Sequence, residues 1–211
     1  MEENLKIYTP ANLGWLEKKL SEEEVNHLWD CVNTRQENSA KHALAGVIDN
    51  SNYFEDKNNW FWENTIHHLC RDYHKYFYNL GRNVPVKGSH PYYLEKMWVN
   101  YQKQNEFNPS HDHTGIYSFV VWLKIPYHHE QQNKNPISKN ANSDNIGTFS
   151  FEFTNILGEI QTHDYHLNPE NEGTLLFFPS KLRHQVYPFY NCDEDRISIS
   201  GNVLVDTISR F

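Results

Sequence analysis

Two imidazoles stand two residues apart in Ser110-His111-Asp112-His113-Thr114, just upstream of a strongly alternating apolar run. In a β-strand, side chains at i and i+2 share a face. Read as a strand, the stretch aims His111 and His113 at one ion from one side. A third histidine, His184, stands far downstream in Leu182-Arg183-His184-Gln185-Val186-Tyr187-Pro188, another strand-like run. Two ligands from one strand and one from a distant strand leave half of an octahedral sphere open. Open positions are where a bound metal acts on a substrate. Asp112 offers a carboxylate in the same stretch, but strict alternation turns it to the opposite face unless a bulge intervenes, so His113 is favoured over Asp112.

Arg196 follows His184 by twelve residues. A hairpin turn near residues 190–193 sets the two strands antiparallel, with Arg196 facing His184 across the ladder and Ser198 on the same face. A guanidinium matches a carboxylate in bidentate fashion. The expected site therefore takes a metal and a dicarboxylate together. The competing reading of Arg196 is a surface ion pair with Glu194 or Asp195. Of the other histidines, His67, His68 and His74 lie on or beside a helical stretch without an i,i+4 pair, and His128 and His129 open a polar loop and read as solvated.

The elements that carry these residues change period part-way along the chain. The first ninety residues read as helical. Ser21-Glu22-Glu23-Glu24 is a capping box ahead of Val25, Leu28, Trp29 and Val32 at helical spacing. Trp62, Ile66, Leu69, Tyr73, Phe77 and Leu80 continue that spacing until Gly81 supplies a stop. From residue 92 the pattern is that of strands. Met97–Tyr101 is one; Tyr117 to Ile125 is another, with Phe119, Val121, Leu123 and Ile125 on one face; Phe149, Phe151 and Phe153 alternate again. Shorter strands are expected near residues 159–166, 174–178, 185–189 and 196–205. The fold class is mainly β with N-terminal helices, a sandwich or double-sheet jelly roll. Residues 92–211 form its β core and residues 1–91 a helical buttress within the same domain. The polar stretch 127–147, rich in Asn, Gln, Ser and Lys, is a long surface loop, read either as a border of the site mouth or as an insertion without a role.

Composition narrows the function classes. The 211 residues fit one domain, and a formal charge of −8 gives no basic footprint for nucleic acid. No apolar run reaches the ~18 residues of a membrane helix. Met1-Glu2-Glu3-Asn4-Leu5-Lys6 lacks the basic and apolar regions of a signal peptide. Cys31, Cys70 and Cys192 are odd in number, widely spaced and without a CxxC, which reads as reduced thiols in a cytoplasmic protein.

Taken in order, several segments resemble one family. They are Trp98-Val99-Asn100-Tyr101, Phe107-Asn108-Pro109-Ser110-His111-Asp112-His113-Thr114-Gly115, Gly173-Thr174-Leu175-Leu176-Phe177-Phe178-Pro179-Ser180, His184-Gln185-Val186-Tyr187-Pro188, and Arg196-Ile197-Ser198-Ile199-Ser200-Gly201-Asn202. The chain resembles the Fe(II)/2-oxoglutarate-dependent dioxygenases, in the prolyl-hydroxylase-related branch of bacteria and T4-like marine phages. The resemblance implies a double-stranded β-helix in which His111, His113 and His184 hold Fe(II). It implies that Arg196, helped by Ser198, binds the distal carboxylate of 2-oxoglutarate, with Asn100 and Tyr101 as further cofactor contacts. The implied activity is a hydroxylase that couples oxidation of a substrate, such as a peptidyl proline, to conversion of 2-oxoglutarate and O2 to succinate and CO2. Ascorbate is an auxiliary cofactor by the same resemblance, a homodimer is compatible with it, and for a phage protein the compartment is the host cytoplasm. One residue departs from the family pattern: His113 stands where HxD or HxE members carry a carboxylate, which raises the charge of the iron site by one unit. The phage-like branch often shows HxH as well.

Two other function classes fit the residues. A three-histidine iron dioxygenase of the cupin type needs no co-substrate and leaves Arg196 without a cofactor. A non-catalytic jelly-roll binding or structural module needs no metal.

Overall fold

The computed structural model of the chain describes residues 6–9, 12–138 and 141–207. Most of the Met1–Lys6 segment read above, and part of the 127–147 stretch, lie outside these residues.

Along the chain, β1 (Leu16–Lys19) precedes α1 (Glu22–Asn33), and β2 (Asn50–Phe54) precedes a π-turn at Trp62–Ile66 that runs into α2 (His67–Tyr76). Next come β3 (Tyr92–Leu94), β4 (Met97–Gln102), β5 (Asn108–His111) and β6 (Tyr117–Lys124). A short α3 (His129–Asn133) is followed by β7 (Phe149–Thr154), β8 (Ile160–Tyr165), β9 (Thr174–Pro179), β10 (Arg183–Val186) and β11 (Arg196–Val205). The larger sheet has the order β1-β9-β6-β11-β4-β2, with β3 also on β11; the smaller is β5-β10-β7-β8. Every pairing is antiparallel. Two such facing sheets make a double-stranded β-helix, a jelly roll.

The larger sheet is buried on both faces. Along β6, Phe119, Val121 and Leu123 join Leu28 and Val32 of α1 and Leu69 and Tyr73 of α2 in one core. Val120 and Trp122 point the other way, into a second core with Phe149 and Phe151 of the smaller sheet. The single apolar face expected for this strand is thus corrected, because helices cover one side and the second sheet covers the other. Ile125 lies past the strand end and packs into the inter-sheet core rather than with Phe119. Gly201 on β11 makes room for a close ring: a Cβ there would meet the Phe119 ring at 2.7 Å.

The N-terminal ninety residues are not helical throughout. β1 and β2 add strands to the larger sheet, since Leu16–Lys19 alternates in burial and both segments extend free sheet edges. The Ser21–Glu24 capping box is present, with Ser21 Oγ accepting from the Glu24 N–H at 3.2 Å and Glu24 accepting from the Ser21 N–H at 2.7 Å. α2 ends at Tyr76, short of the expected Gly81, because Phe77 leaves the helical region at φ −123°, ψ −107°.

Candidate metal centre

His111 is the last residue of β5 and sits directly opposite His184 on β10. Their ring centroids are 4.3 Å apart. His113 does not share a strand with His111, as its spacing predicted: β5 has already ended, and the chain turns so that the His113 N–H donates to the Ser180 carbonyl at 2.8 Å. The turn still brings the ring to the same place. It lies 5.0 Å from His111 and 4.9 Å from His184, nearly parallel to the latter at 16°.

The imidazoles are oriented by backbone. His111 Nδ1 lies 2.7 Å from the Pro109 carbonyl and His184 Nδ1 lies 3.0 Å from that of Leu182. A carbonyl only accepts, so each Nδ1 carries the proton and each Nε2 presents a lone pair. His184 Nε2 and His113 Nε2 are 3.1 Å apart, and one ligand atom from each histidine falls within 4.8 Å of the others. Adjacent ligands at bonds of about 2.1 Å to one ion are separated by roughly 3 Å, so the donor set fits a metal. Burial is the leading reason that all three imidazoles stay neutral. It lowers His111, lowers His113 to about 4, and lowers His184 well below its usual value, with mutual proximity adding to the last two. Neutral imidazoles need shed no proton to coordinate.

Asp112 is engaged elsewhere. Its carboxylate accepts from Lys181 Nζ at 3.0 Å, a hydrogen bond that holds it below the usual carboxylate range. It is absent from the converging cluster of ligand atoms.

Arg196 does not face His184 across a ladder. β10 belongs to the smaller sheet and β11 to the larger, and residues 187–195 carry the chain between them rather than forming a hairpin. Arg196 is paired with Gln102 of β4 instead. It nevertheless lines the same inter-sheet cavity as the three histidines. Arg196 is only 2% exposed. It donates to Gln102 Oε1 at 2.6 Å, to the carbonyls of Gly147 and Tyr187 at 3.2 Å each, and to the Tyr127 hydroxyl. Among the described residues no carboxylate pairs with it, and Glu194 is taken by Lys124 at 2.7 Å. The reading of Arg196 as a surface ion pair with Glu194 or Asp195 therefore fails.

The β11–β4 ladder sorts the remaining expected residues. Arg196, Ser198 and Ser200 face the cavity beside their partners Gln102, Asn100 and Trp98. Asn100 Oδ1 also accepts from Ser51 Oγ at 2.7 Å. Tyr101, one residue out of phase, is turned to the opposite face, where the Arg35 guanidinium lies 5.1 Å over its ring. The expectation that Tyr101 touches a cofactor is corrected by that alternation.

Two residues that hold Arg196 escaped the sequence reading. Gln102 shares the period-2 phase of Asn100, a signal that could have found it. Tyr127 comes from the start of the polar loop, where it continues the i+2 series of Leu123 and Ile125. Its hydroxyl donates to the Gly147 carbonyl at 2.7 Å and ties the two ends of the loop together beside Arg196. His129, expected to be solvated, is buried: its ring stacks on His166 at 4.0 Å and contacts the Asp144 carbonyl at 2.6 Å.

A family profile described as "Putative 2OG-Fe(II) oxygenase" matches residues 96–202. Among solved structures, a Pseudomonas putida prolyl-4-hydroxylase is similar with a TM-score of 0.52 and 17% identity, over 90% of this chain and 91% of that one. A Burkholderia pseudomallei oxidoreductase of the 2OG-Fe(II) oxygenase family is similar with a TM-score of 0.51 and 12% identity, over 88% of this chain and 80% of that one. No curated protein sequence matches. At these identities the structural likeness speaks for the double-stranded β-helix fold. No helix among the described residues is long and apolar enough to cross a membrane.

Proposed function

The chain belongs to the 2OG-Fe(II) oxygenase family and is an Fe(II)- and 2-oxoglutarate-dependent enzyme; from that premise we propose that His111, His113 and His184 hold the iron and that Arg196 receives the distal carboxylate of 2-oxoglutarate. Ser198 and Asn100 flank Arg196 on the same cavity wall and complete the carboxylate's surroundings. When bound, iron and 2-oxoglutarate together with O2 supply the oxidising chemistry that yields succinate and CO2.

The observation that carries this reading is the pairing, in one cavity, of converging neutral imidazoles with a buried guanidinium that has no carboxylate partner among the described residues. A buried cation without a counter-charge is costly, and a bound dicarboxylate relieves that cost. With three neutral imidazoles, the protein contributes no negative charge to the metal, so a dianionic co-substrate also balances the ion. The backbone carbonyls of Pro109 and Leu182 fix the imidazole tautomers, and Gln102 and Tyr127 hold Arg196 in place before anything enters. A three-histidine dioxygenase without a co-substrate offers no use for Arg196.

The reaction we assign is hydroxylation, with a peptidyl residue such as proline as substrate. The likeness to the Pseudomonas putida prolyl-4-hydroxylase supports this. So do the small side chains of Ala43 and Ala45, which line the same cavity.

The test is succinate release from 2-oxoglutarate with Fe(II), compared between the wild type and His184→Ala, together with anaerobic calorimetry of 2-oxoglutarate on the Mn(II) form. The reading requires co-substrate binding and turnover that His184→Ala removes. Equal inertness of both proteins with no retained metal overturns it.

A further inference from the structure

A second cluster of metal-ligating groups lies on the helical side of the larger sheet. His27 and Cys31 stand one turn apart on α1 and share a face. Asp56 meets them from the segment between β2 and the π-turn. His27 Nε2 lies 2.8 Å from Asp56 Oδ1 and 3.3 Å from Cys31 Sγ. One ligand atom from each residue falls within 4.8 Å of the other two.

The cluster is enclosed and held. Cys31 is buried, and the side chains of His27 and Asp56 are 15% and 6% exposed. The Trp60 ring covers the imidazole at a centroid distance of 4.7 Å. Asp56 is locked by the Phe61 and Trp62 N–H groups, which donate to its two carboxylate oxygens at 3.0 and 2.8 Å.

Protons alone serve this junction poorly. The carboxylate only accepts, so the hydrogen bond to Asp56 uses the proton of His27 Nε2. That nitrogen then has no lone pair for the thiol that sits 3.3 Å away. One ion in place of that proton satisfies thiolate, imidazole and carboxylate together. The N, S and O donor set suits a borderline-soft divalent ion. Burial raises the Cys31 thiol, and a backbone hydrogen bond from Lys57 to the sulfur offsets that rise only in part, so it is the ion that draws off the thiol proton.

We propose that His27 Nε2, Cys31 Sγ and Asp56 Oδ1 form a zinc-type metal site, separate from the three-histidine cluster, that clamps α1 to the 55–62 segment. Coordination moves the imidazole proton to Nδ1 and releases the thiol proton to solvent, and water takes the fourth position. The site does not depend on the oxygenase reading.

Cobalt(II) alone, titrated into the full metal-free chain, is the probe. A thiolate-to-cobalt charge-transfer band reports on this site, because His111, His113 and His184 bring no sulfur. The band is expected in the wild type and in His184→Ala, corresponding to one thiolate-bound cobalt per chain. In the wild type it is reached within two equivalents, because the three histidines also take cobalt. It is expected to be lost in Cys31→Ser and to disappear when zinc(II) is added. Melting of the metal-free Cys31→Ser chain checks that it folds, and His27→Gln replaces it if it does not. Absence of the band in the folded wild type overturns the proposal. So does a band that survives Cys31→Ser, which would place the sulfur at Cys70 or Cys192.

Discussion

Arg196 and Gln102 face each other across the β11–β4 ladder, and the guanidinium donates to the Gln102 side-chain oxygen at 2.6 Å. Among the described residues its other partners are a phenol and two backbone carbonyls. Dipoles alone therefore hold a charge that is almost wholly out of water. The fold keeps it in position, and only an anion entering the cavity neutralises it.

Replacing Arg196 with Met should remove 2-oxoglutarate binding while leaving the metal in place. Breaking a buried, hydrogen-bonded charge pair costs about 3–5 kcal/mol, which corresponds to a loss of affinity of roughly a hundredfold or more. Calorimetry on the Mn(II) form measures both quantities. Unchanged 2-oxoglutarate affinity would remove Arg196 from the co-substrate pocket.

The third ligand can be tested by a pair of variants. Asp112 is tied to Lys181 at 3.0 Å in a partly exposed ion pair, whereas His113 Nε2 is 3.1 Å from His184 Nε2. Asp112→Asn should keep full iron stoichiometry and change stability little, since exposed ion pairs contribute about 0–1 kcal/mol. His113→Ala should lower metal affinity at least tenfold. Metal analysis after dialysis reads both, and the opposite ranking would make Asp112 the ligand.

These assignments differ in how much local sequence says about them. The capping box at Ser21, the extent of β11 and the ordered run of histidine, glycine and arginine motifs depend on residues close in the chain, and they are legible there. Which strands become neighbours is not. His184 and Arg196 look like hairpin partners twelve residues apart, but residues 187–195 cross from one sheet to the other. His113 reaches the cluster through a turn fixed by the Ser180 carbonyl, sixty-seven residues downstream, which no local period encodes. Tyr127 is set by the same kind of distant partner. Alternation correctly separates Gln102 and Asn100 from Tyr101 only once β4 is known to pair with β11.

The Tyr127 hydroxyl joins Gly147 to Arg196, and burial raises its pKa, so it stays a protonated phenol. Tyr127→Phe should reduce stability by about 1 kcal/mol, the net worth of a buried hydrogen bond. Arg196 still reaches the Gly147 carbonyl at 3.2 Å, which limits the loss. Freed of the tie, the 127–147 loop should be cut faster by protease, and the apparent KM for 2-oxoglutarate should rise several-fold with a smaller change in kcat. Equal proteolysis and equal KM would show that the tie has no bearing on the pocket.

The metal-free protein should lose stability on mild acidification. His111, His113 and His184 are held neutral chiefly by burial, each below the ordinary value of 6.5, with His113 at about 4. Below pH 6.5 the unfolded chain takes up protons that the folded chain refuses, so the unfolded state binds more of them and stability falls with pH. The contribution is intact above about pH 6.5 and declines progressively toward pH 4. A bound divalent ion competes with those protons, so metal should move the decline to lower pH in a concentration-dependent way. Melting temperatures of the chelator-treated chain between pH 7.5 and 4.5, compared with those of a His113→Asn variant, measure the effect. The variant should show a shallower decline, since it removes one of the groups that refuse the proton. A flat profile for the wild type, or identical slopes for the two proteins, would mean that these imidazoles are not buried as a neutral cluster.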